Sequence, residues 1–215
     1  LAQARLEAQL KPVAESLQEC HKLQNKGRDL LASIQTLQRA GMEVMGGFIV
    51  GFDNDRQDIF KRQFEFIQSS GVVTAMVGLL QALPQTKLYL RLKSEGRLET
   101  GSTGNNTEAF LNFKTKLSRE FLTSGYRDLM KRLYEPKVYY QRIRTFLDHH
   151  RPSGPPLRVS PADLSAFLKS FWMLGIWERG RHNYWRFFWS TLLRRPRQLR
   201  FAIELAVIGY RVGRV

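Results

Sequence analysis

The chain has 215 residues, 43% of them apolar and 25% charged, with a net charge of +15 and a single cysteine, Cys20. That size and balance fit one or two globular domains with a buried core, and exclude a disordered or collagen-like chain. One cysteine excludes a disulfide framework and any iron–sulfur or thiolate–metal site built from this chain's own residues, and makes a reducing, cytoplasmic setting the expectation.

Leu1 to Gln38 has helical composition, with Leu6, Leu10, Val13 and Leu17 at helical spacing and Pro12 as an interruption. Asn25-Lys26-Gly27-Arg28 breaks it, and a second helix runs from Arg28 to Arg39 with Leu30, Leu31, Ile34 and Leu37 as its apolar stripe. Glu43–Phe52 is predicted as a strand buried on both faces, as in a parallel sheet. Asp53 or Asp55 is placed to cap a helix Arg56–Ser69, which turns Ile59, Phe60, Phe64 and Ile67 inward. Val72–Leu80 is a second strand and Thr86–Gly96 a further helix. Strand, helix, strand, helix with short loops predicts βαβ units in an α/β fold.

Glu99–Thr107 is polar and glycine-rich and is the expected boundary. The charge changes there: residues 1–110 carry 13 Lys/Arg and 12 Asp/Glu, residues 111–215 carry 21 and 7. No strand is expected beyond it. Helices are predicted over Asn112–Leu133, weakened at Gly125, and over Pro136–His150. After a rigid Arg151–Pro156 linker, further helices are predicted over Pro161–Arg179, His182–Arg194 and Pro196–Tyr210. The polar N-terminus has no secretory layout, and Phe201–Tyr210 contains Glu204 and is shorter than the ~20 residues of a membrane span. A first residue that is leucine rather than methionine sets the expectation of a fragment or processed product.

The candidate binding stretch is Gly47-x-Ile49-x-Gly51, a strand whose glycines let backbone approach a flat or charged ligand at the carboxyl end of an α/β sheet. It is neither a dinucleotide fingerprint nor a P-loop, and close strand–helix packing explains the same glycines. His21, His149, His150 and His182 have no metal-ligand spacing, and no HExxH or GxSxG motif occurs. In the basic half Trp172, Trp177, Tyr184, Trp185, Phe187, Phe188 and Trp189 interleave with arginines from Arg179 to Arg200. A helical core with a wet arginine face comes first, an interfacial anionic membrane surface second, and nucleic acid last.

Met42–Asp55, with Ile59-Phe60 and Phe64–Gln68, resembles the later strands of the radical SAM partial barrel. Leu79–Tyr89 and Leu92–Leu98 continue the resemblance, and Ser16–Asn25 resembles the helix preceding that strand. The most similar group carries an N-terminal cobalamin-binding domain and commonly ends in a helical domain of unknown function, which residues from about 112 onward resemble. The resemblance implies a partial (β/α) barrel fragment over residues 1–100 followed by an all-α basic domain over 108–215. It implies an S-adenosylmethionine site in which Gly47, Ile49 and Gly51 lie beside the adenine. The Val77-Gly78-Leu79 backbone then meets the adenine edge, and Lys22 or Gln24 reaches the methionyl end. The implied full-length cofactors are S-adenosylmethionine and a 4Fe–4S cluster, with cobalamin as a further one. The implied partners are the N-terminal barrel and cobalamin-binding parts.

Three departures shape the expectation, the first being that Leu1–Glu15 does not resemble the strand the family places there. The cluster motif CxxxCxxC is absent, so the chain by itself is expected to be inactive, one part of an enzyme of radical reactions such as methyl transfer. The turn that the family writes Pro-Gly-Thr reads Pro84-Gln85-Thr86, and a left-handed conformation is strained at glutamine, so that loop is expected to differ. The competing expectation is a non-catalytic basic helical module that docks on a membrane surface or a protein partner.

Overall fold

The structure, a computed structural model, describes residues 29–99, 101, 110–152, 167–168, 171–178 and 180–212. These residues are mostly helical and hold one two-stranded parallel sheet. The order is α1 (Leu30–Arg39), β1 (Gly46–Val50), α2 (Ile59–Ser70), β2 (Ala75–Leu79), α3 (Lys87–Ser94), α4 (Arg119–Leu133), α5 (Pro136–His149), α6 (Arg181–Arg194) and α7 (Leu199–Val212). A π-helical stretch, Met173–Trp177, precedes α6, and a short 3₁₀ turn, Pro196–Gln198, precedes α7. The helix expected over residues 1–28, the 153–156 part of the linker and the Ser160-Pro161 helix start lie outside the described residues. Among the described residues no helix is long and apolar enough to cross a membrane. The chain divides into two compact units: among the described residues, 29–30, 46–66 and 75–130 in the first, 31–45, 67–74 and 131–212 in the second.

In the first unit β1 and β2 run parallel, Gly46 opposite Ala75 through Val50 opposite Leu79. Both strands are shorter than their apolar runs. The pairing extends one step further, where the Leu80 N–H donates to the Val50 carbonyl at 2.8 Å. Val50, Ala75, Val77 and Leu79 are buried. The crossover helix α2 is held to β1 by Gln63, whose Nε2 donates to the Ile49 carbonyl at 3.1 Å. Phe66 meets Phe48 edge-on at 6.1 Å between centroids.

The helix expected from Asn112 begins only at Arg119, and the residues before it are not helical. Asn112 is fully buried. Its amide completes a β-like pair with Ala82, accepting from the Ala82 N–H and donating to the Ala82 carbonyl, both at 2.9 Å. A buried amide in a helix would leave both groups without partners. Phe113 then pairs antiparallel with Leu98. Helix α4 starts where the Ser118 hydroxyl accepts the Phe121 N–H at 3.2 Å, an N-cap bond. Gly125 is no weak point: a Cβ there would fall 2.2 Å from the Phe60 ring, so the glycine makes room for Phe60.

The second unit is organised by aromatic residues. Tyr139, Tyr140, Ile143 and Phe146 of α5 are buried with Leu174, Tyr184 and Phe187, and with Leu205 of α7. Tyr140 stacks on Phe187 at 5.0 Å, and the Tyr139 hydroxyl donates to the Leu205 carbonyl at 2.8 Å. Arg142 is fully buried among them. Its guanidinium donates to the Leu133 and Val73 carbonyls at 3.1 and 3.3 Å and to Gln68 Oε1 at 3.0 Å. It also lies 5.0 Å from the Tyr139 ring centre. Burial holds its pKa below the ordinary arginine value. Methionine at this position fills similar volume but leaves those buried oxygens without donors. Arg142→Met is therefore expected to lower stability by roughly 3 kcal/mol, read as a shifted urea midpoint at unchanged slope.

Candidate functional site

In a parallel pair, residues opposite each other share a face, and neighbours along a strand alternate. Gly46, Phe48 and Val50, with Ala75, Val77 and Leu79, form the covered face. Gly47 and Ile49, with Met76 and Gly78, form the other. That second face is open: Ile49 is 48% exposed and Met76 60%, and a Cβ on Gly47 would meet nothing within 4 Å. Parallel sheets are ordinarily covered on both faces, so an exposed apolar face of this kind calls for a covering group. The six residues predicted from 47–51 and 77–79 thus separate. Gly47 and Ile49 lie exposed on the open face, while Gly78, opposite Ile49 in register, is buried. Val77 and Leu79 direct their side chains away from it and offer it only backbone.

Gly51 does a different job. Its φ is +113°, a conformation that favours glycine, and it begins the turn that leaves β1. The Gly51 and Phe52 N–H groups both donate to Asp55 Oδ2, at 2.7 and 3.0 Å. Asp55 therefore clamps this turn rather than capping α2, which starts at Ile59. Gly51's N–H is occupied and faces no open approach.

Asp53 does not cap α2 either. It pairs with Arg97 through two short bonds, Nη2 to Oδ1 at 2.7 Å and Nη1 to Oδ2 at 2.9 Å, and Arg91 adds a third at 3.2 Å. Arg97 also donates to Glu95 from Nη1, and to the Lys114 carbonyl from Nε and Nη2, so all five of its N–H groups are used. It fastens the loop and has no donor left for a ligand. The Arg97 hydrogen bond, more than offsetting burial, holds the Asp53 carboxyl below its ordinary value of 3.8.

Sequence reasoning missed Arg97, Asn112 and Gln63. The alternation of Leu111-Asn112-Phe113-Lys114 was the available signal for an extended segment; nothing local pairs Asp53 with Arg97. Lys22 and Gln24, predicted for the methionyl end, lie outside the described residues, as do Cys20 and His21. Among the described residues no three His, Cys, Asp or Glu side chains are grouped to hold a metal ion. The turn at Gln85 keeps the left-handed conformation, φ +65°, despite the missing glycine. The Thr86 hydroxyl braces it, donating to the Leu83 carbonyl at 2.7 Å and capping α3 by accepting the Tyr89 N–H. In the basic half the aromatic residues divide. Tyr184, Phe187 and Phe188 are buried, while Trp172, Trp177 and Trp189 are exposed.

These features define a mostly helical protein with one parallel βαβ unit open on an apolar face. The chain belongs to the family of the domain of unknown function DUF4070, whose model matches residues 86–215. It is 33% identical over 189 residues to the uncharacterized methyltransferase sll1242 of Synechocystis sp.. It is 30% identical over 193 residues to the hopanoid C-2 methylase of Rhodopseudomonas palustris. Each match takes in 86% of this chain and 35% of the relative, so the chain spans about a third of the length of these curated relatives. No solved structure matches it.

Because Asp53's pKa is lower folded than unfolded, its ion pair stabilises fully above pH ~4 and is lost as pH falls through the folded value. Asp53→Asn is expected to cost about 2 kcal/mol at pH 7. The gap to the wild type should narrow below pH ~4 and close once Asp53 is protonated. Denaturation midpoints measured from pH 7 to pH 2 check this. A gap independent of pH would contradict it.

Proposed function

We propose that the chain is the C-terminal part of a radical SAM methyltransferase and supplies one wall of its S-adenosylmethionine site. The observation that carries this is the open apolar face at Gly47, Ile49 and Met76 on a parallel strand pair. Two relatives named as a methyltransferase and a methylase, each aligned to 86% of the chain, supply the reaction class. The βαβ unit supports a part of a (β/α) barrel over residues 1–100. The aromatic helical core within residues 131–212 supports an all-α role for the C-terminal half, while residues 110–130 belong to the first unit.

The residues fit S-adenosylmethionine in one respect that the geometry can test. A flat purine needs an apolar surface with backbone close beneath it, and Gly47 leaves that space clear. Ile49 gives the aliphatic contact. The backbone of Val77, Gly78 and Leu79 offers amide and carbonyl groups along the adjoining strand. When bound, S-adenosylmethionine supplies an activated methyl group. This chain's residues orient the nucleoside and keep water from one of its faces. The 4Fe–4S cluster does not fit: one cysteine cannot provide its thiolates. The reading therefore places the cluster on CxxxCxxC cysteines of an upstream part, with any cobalamin likewise held by other segments.

The test uses the full polypeptide of the reading frame that contains this chain, reconstituted anaerobically with iron and sulfide. It is expected to contain CxxxCxxC and to release S-adenosylhomocysteine on turnover. Gly47→Leu should raise the S-adenosylmethionine Kd about tenfold or more, with little change in thermal midpoint because the added side chain starts in open space. A frame without the cysteines, or unchanged affinity in Gly47→Leu, would overturn the proposal.

A further inference from the structure

The second unit gathers cations that the methyl-transfer reading does not use. A cavity of about 220 Å³ is lined from α5 by Arg144, Leu147 and the carboxylate of Asp148, and from α6 by Arg186, Ser190, Thr191 and Arg194, with Arg195 following. Arg195 is paired with Asp148. Among the described residues, Arg144, Arg186 and Arg194 have no carboxylate within ion-pair distance. Arg144 is the most enclosed of the three. Its Nε is buried with no hydrogen-bond partner, and its guanidinium lies 5.8 Å from the Phe187 ring centre.

The electrostatics of this group are unfavourable as they stand. Burial first, and then the charges of Arg186 and Arg194, hold the Arg144 pKa below its ordinary value. Guanidiniums held together against their own repulsion become favourable when an anion sits between them. The hydroxyls of Ser190 and Thr191 already donate to the Phe187 carbonyl, at 2.8 and 2.9 Å, so the cavity's available donors are guanidinium N–H groups. Planar, forked guanidinium donors match the oxygens of phosphate. Beyond Arg194 and Arg195 a second cavity of about 440 Å³ continues, lined by Leu147, Pro196 and Arg197 among others. There is room beside the charge cluster for an organic group.

We infer that this cavity binds the phosphate group of a phosphoester, with Arg144, Arg186 and Arg194 as its cationic donors. The ester is a soluble metabolite or a lipid headgroup. A lipid has a surface to meet here: Trp189 and Leu193, 53% and 80% exposed, stand one turn apart on α6 on the same stripe as Arg186. The inference does not depend on what covers the open sheet face of the first unit.

The experiment titrates the 215-residue chain at low salt with inorganic phosphate and with glycerol 3-phosphate by calorimetry. In parallel, phosphatidylcholine vesicles with and without phosphatidic acid are tested by co-sedimentation. Arg186→Gln and Arg194→Gln change exposed residues and leave the packing intact. Arg127→Gln, exposed on α4, removes the same charge elsewhere. Saturable binding to at least one probe is expected. Either cavity variant should weaken it about tenfold, the loss of a charge-assisted hydrogen bond, and the control less than twofold. Glycerol 3-phosphate binding identifies a soluble ester. Binding only to phosphatidic-acid vesicles identifies a headgroup. Both sustain the inference. Equal weakening in all three variants would mean diffuse charge attraction and would overturn it, as would no saturable binding to any probe.

Discussion

Holding a partly buried guanidinium by all five of its N–H groups is a demanding requirement, and in the first unit it falls on Arg97. Three separate segments meet it: Asp53 just after β1, Glu95 just after α3, and the Lys114 carbonyl on the extended stretch before α4. The loop leaving β1 cannot shift without breaking charged bonds at Asp53. That loop also carries the Gly51–Asp55 clamp. The carboxyl end of β1 is therefore fixed twice, once by an aspartate four residues on and once by an arginine 44 residues away in sequence. A rigid strand end is what an open sheet face needs if it is to present a preformed surface.

Much of this was legible in the residues. The apolar runs around Phe48–Val50 and Val72–Leu80, punctuated by glycines, gave the βαβ order, and Pro136 marked the start of α5 to the residue. Local signals failed where polar groups are satisfied at long range. Asn112 looked like a helix start because its partner, Ala82, lies 30 residues back. Asp53 and Asp55 looked alike as helix caps, yet one pairs with Arg97 and the other holds its own turn. Composition also cannot say which of two tryptophans is outside. Trp185 donates its indole N–H to the Gly175 carbonyl at 2.9 Å, while Trp189, one turn on and stacked against it, is exposed.

The positive charge of the second half divides in the same way. Arg142 and Arg144 sit two residues apart on α5, and that spacing points them to different sides of the helix. Arg142 enters a core where carbonyl oxygens and tyrosine rings take up its charge. Arg144 faces Arg186 and Arg194, where like charges meet. A net-charge count treats the two identically. One arginine holds segments of the unit together, and the other belongs to a surface with unspent attraction for anions.

Gln85 bears on how such chains are recognised. The turn after β2 keeps a glycine-like backbone with a glutamine in it, because the Leu83 carbonyl, Thr86 and the first turn of α3 dictate its path. The shape is thus encoded by its neighbours, and the identity of residue 85 is only one contribution to it. A pattern search that demands glycine at this point would pass over a chain whose backbone obeys the pattern. Homologues of this kind are better recognised by the threonine cap and the paired strands than by the letter at the centre of the turn.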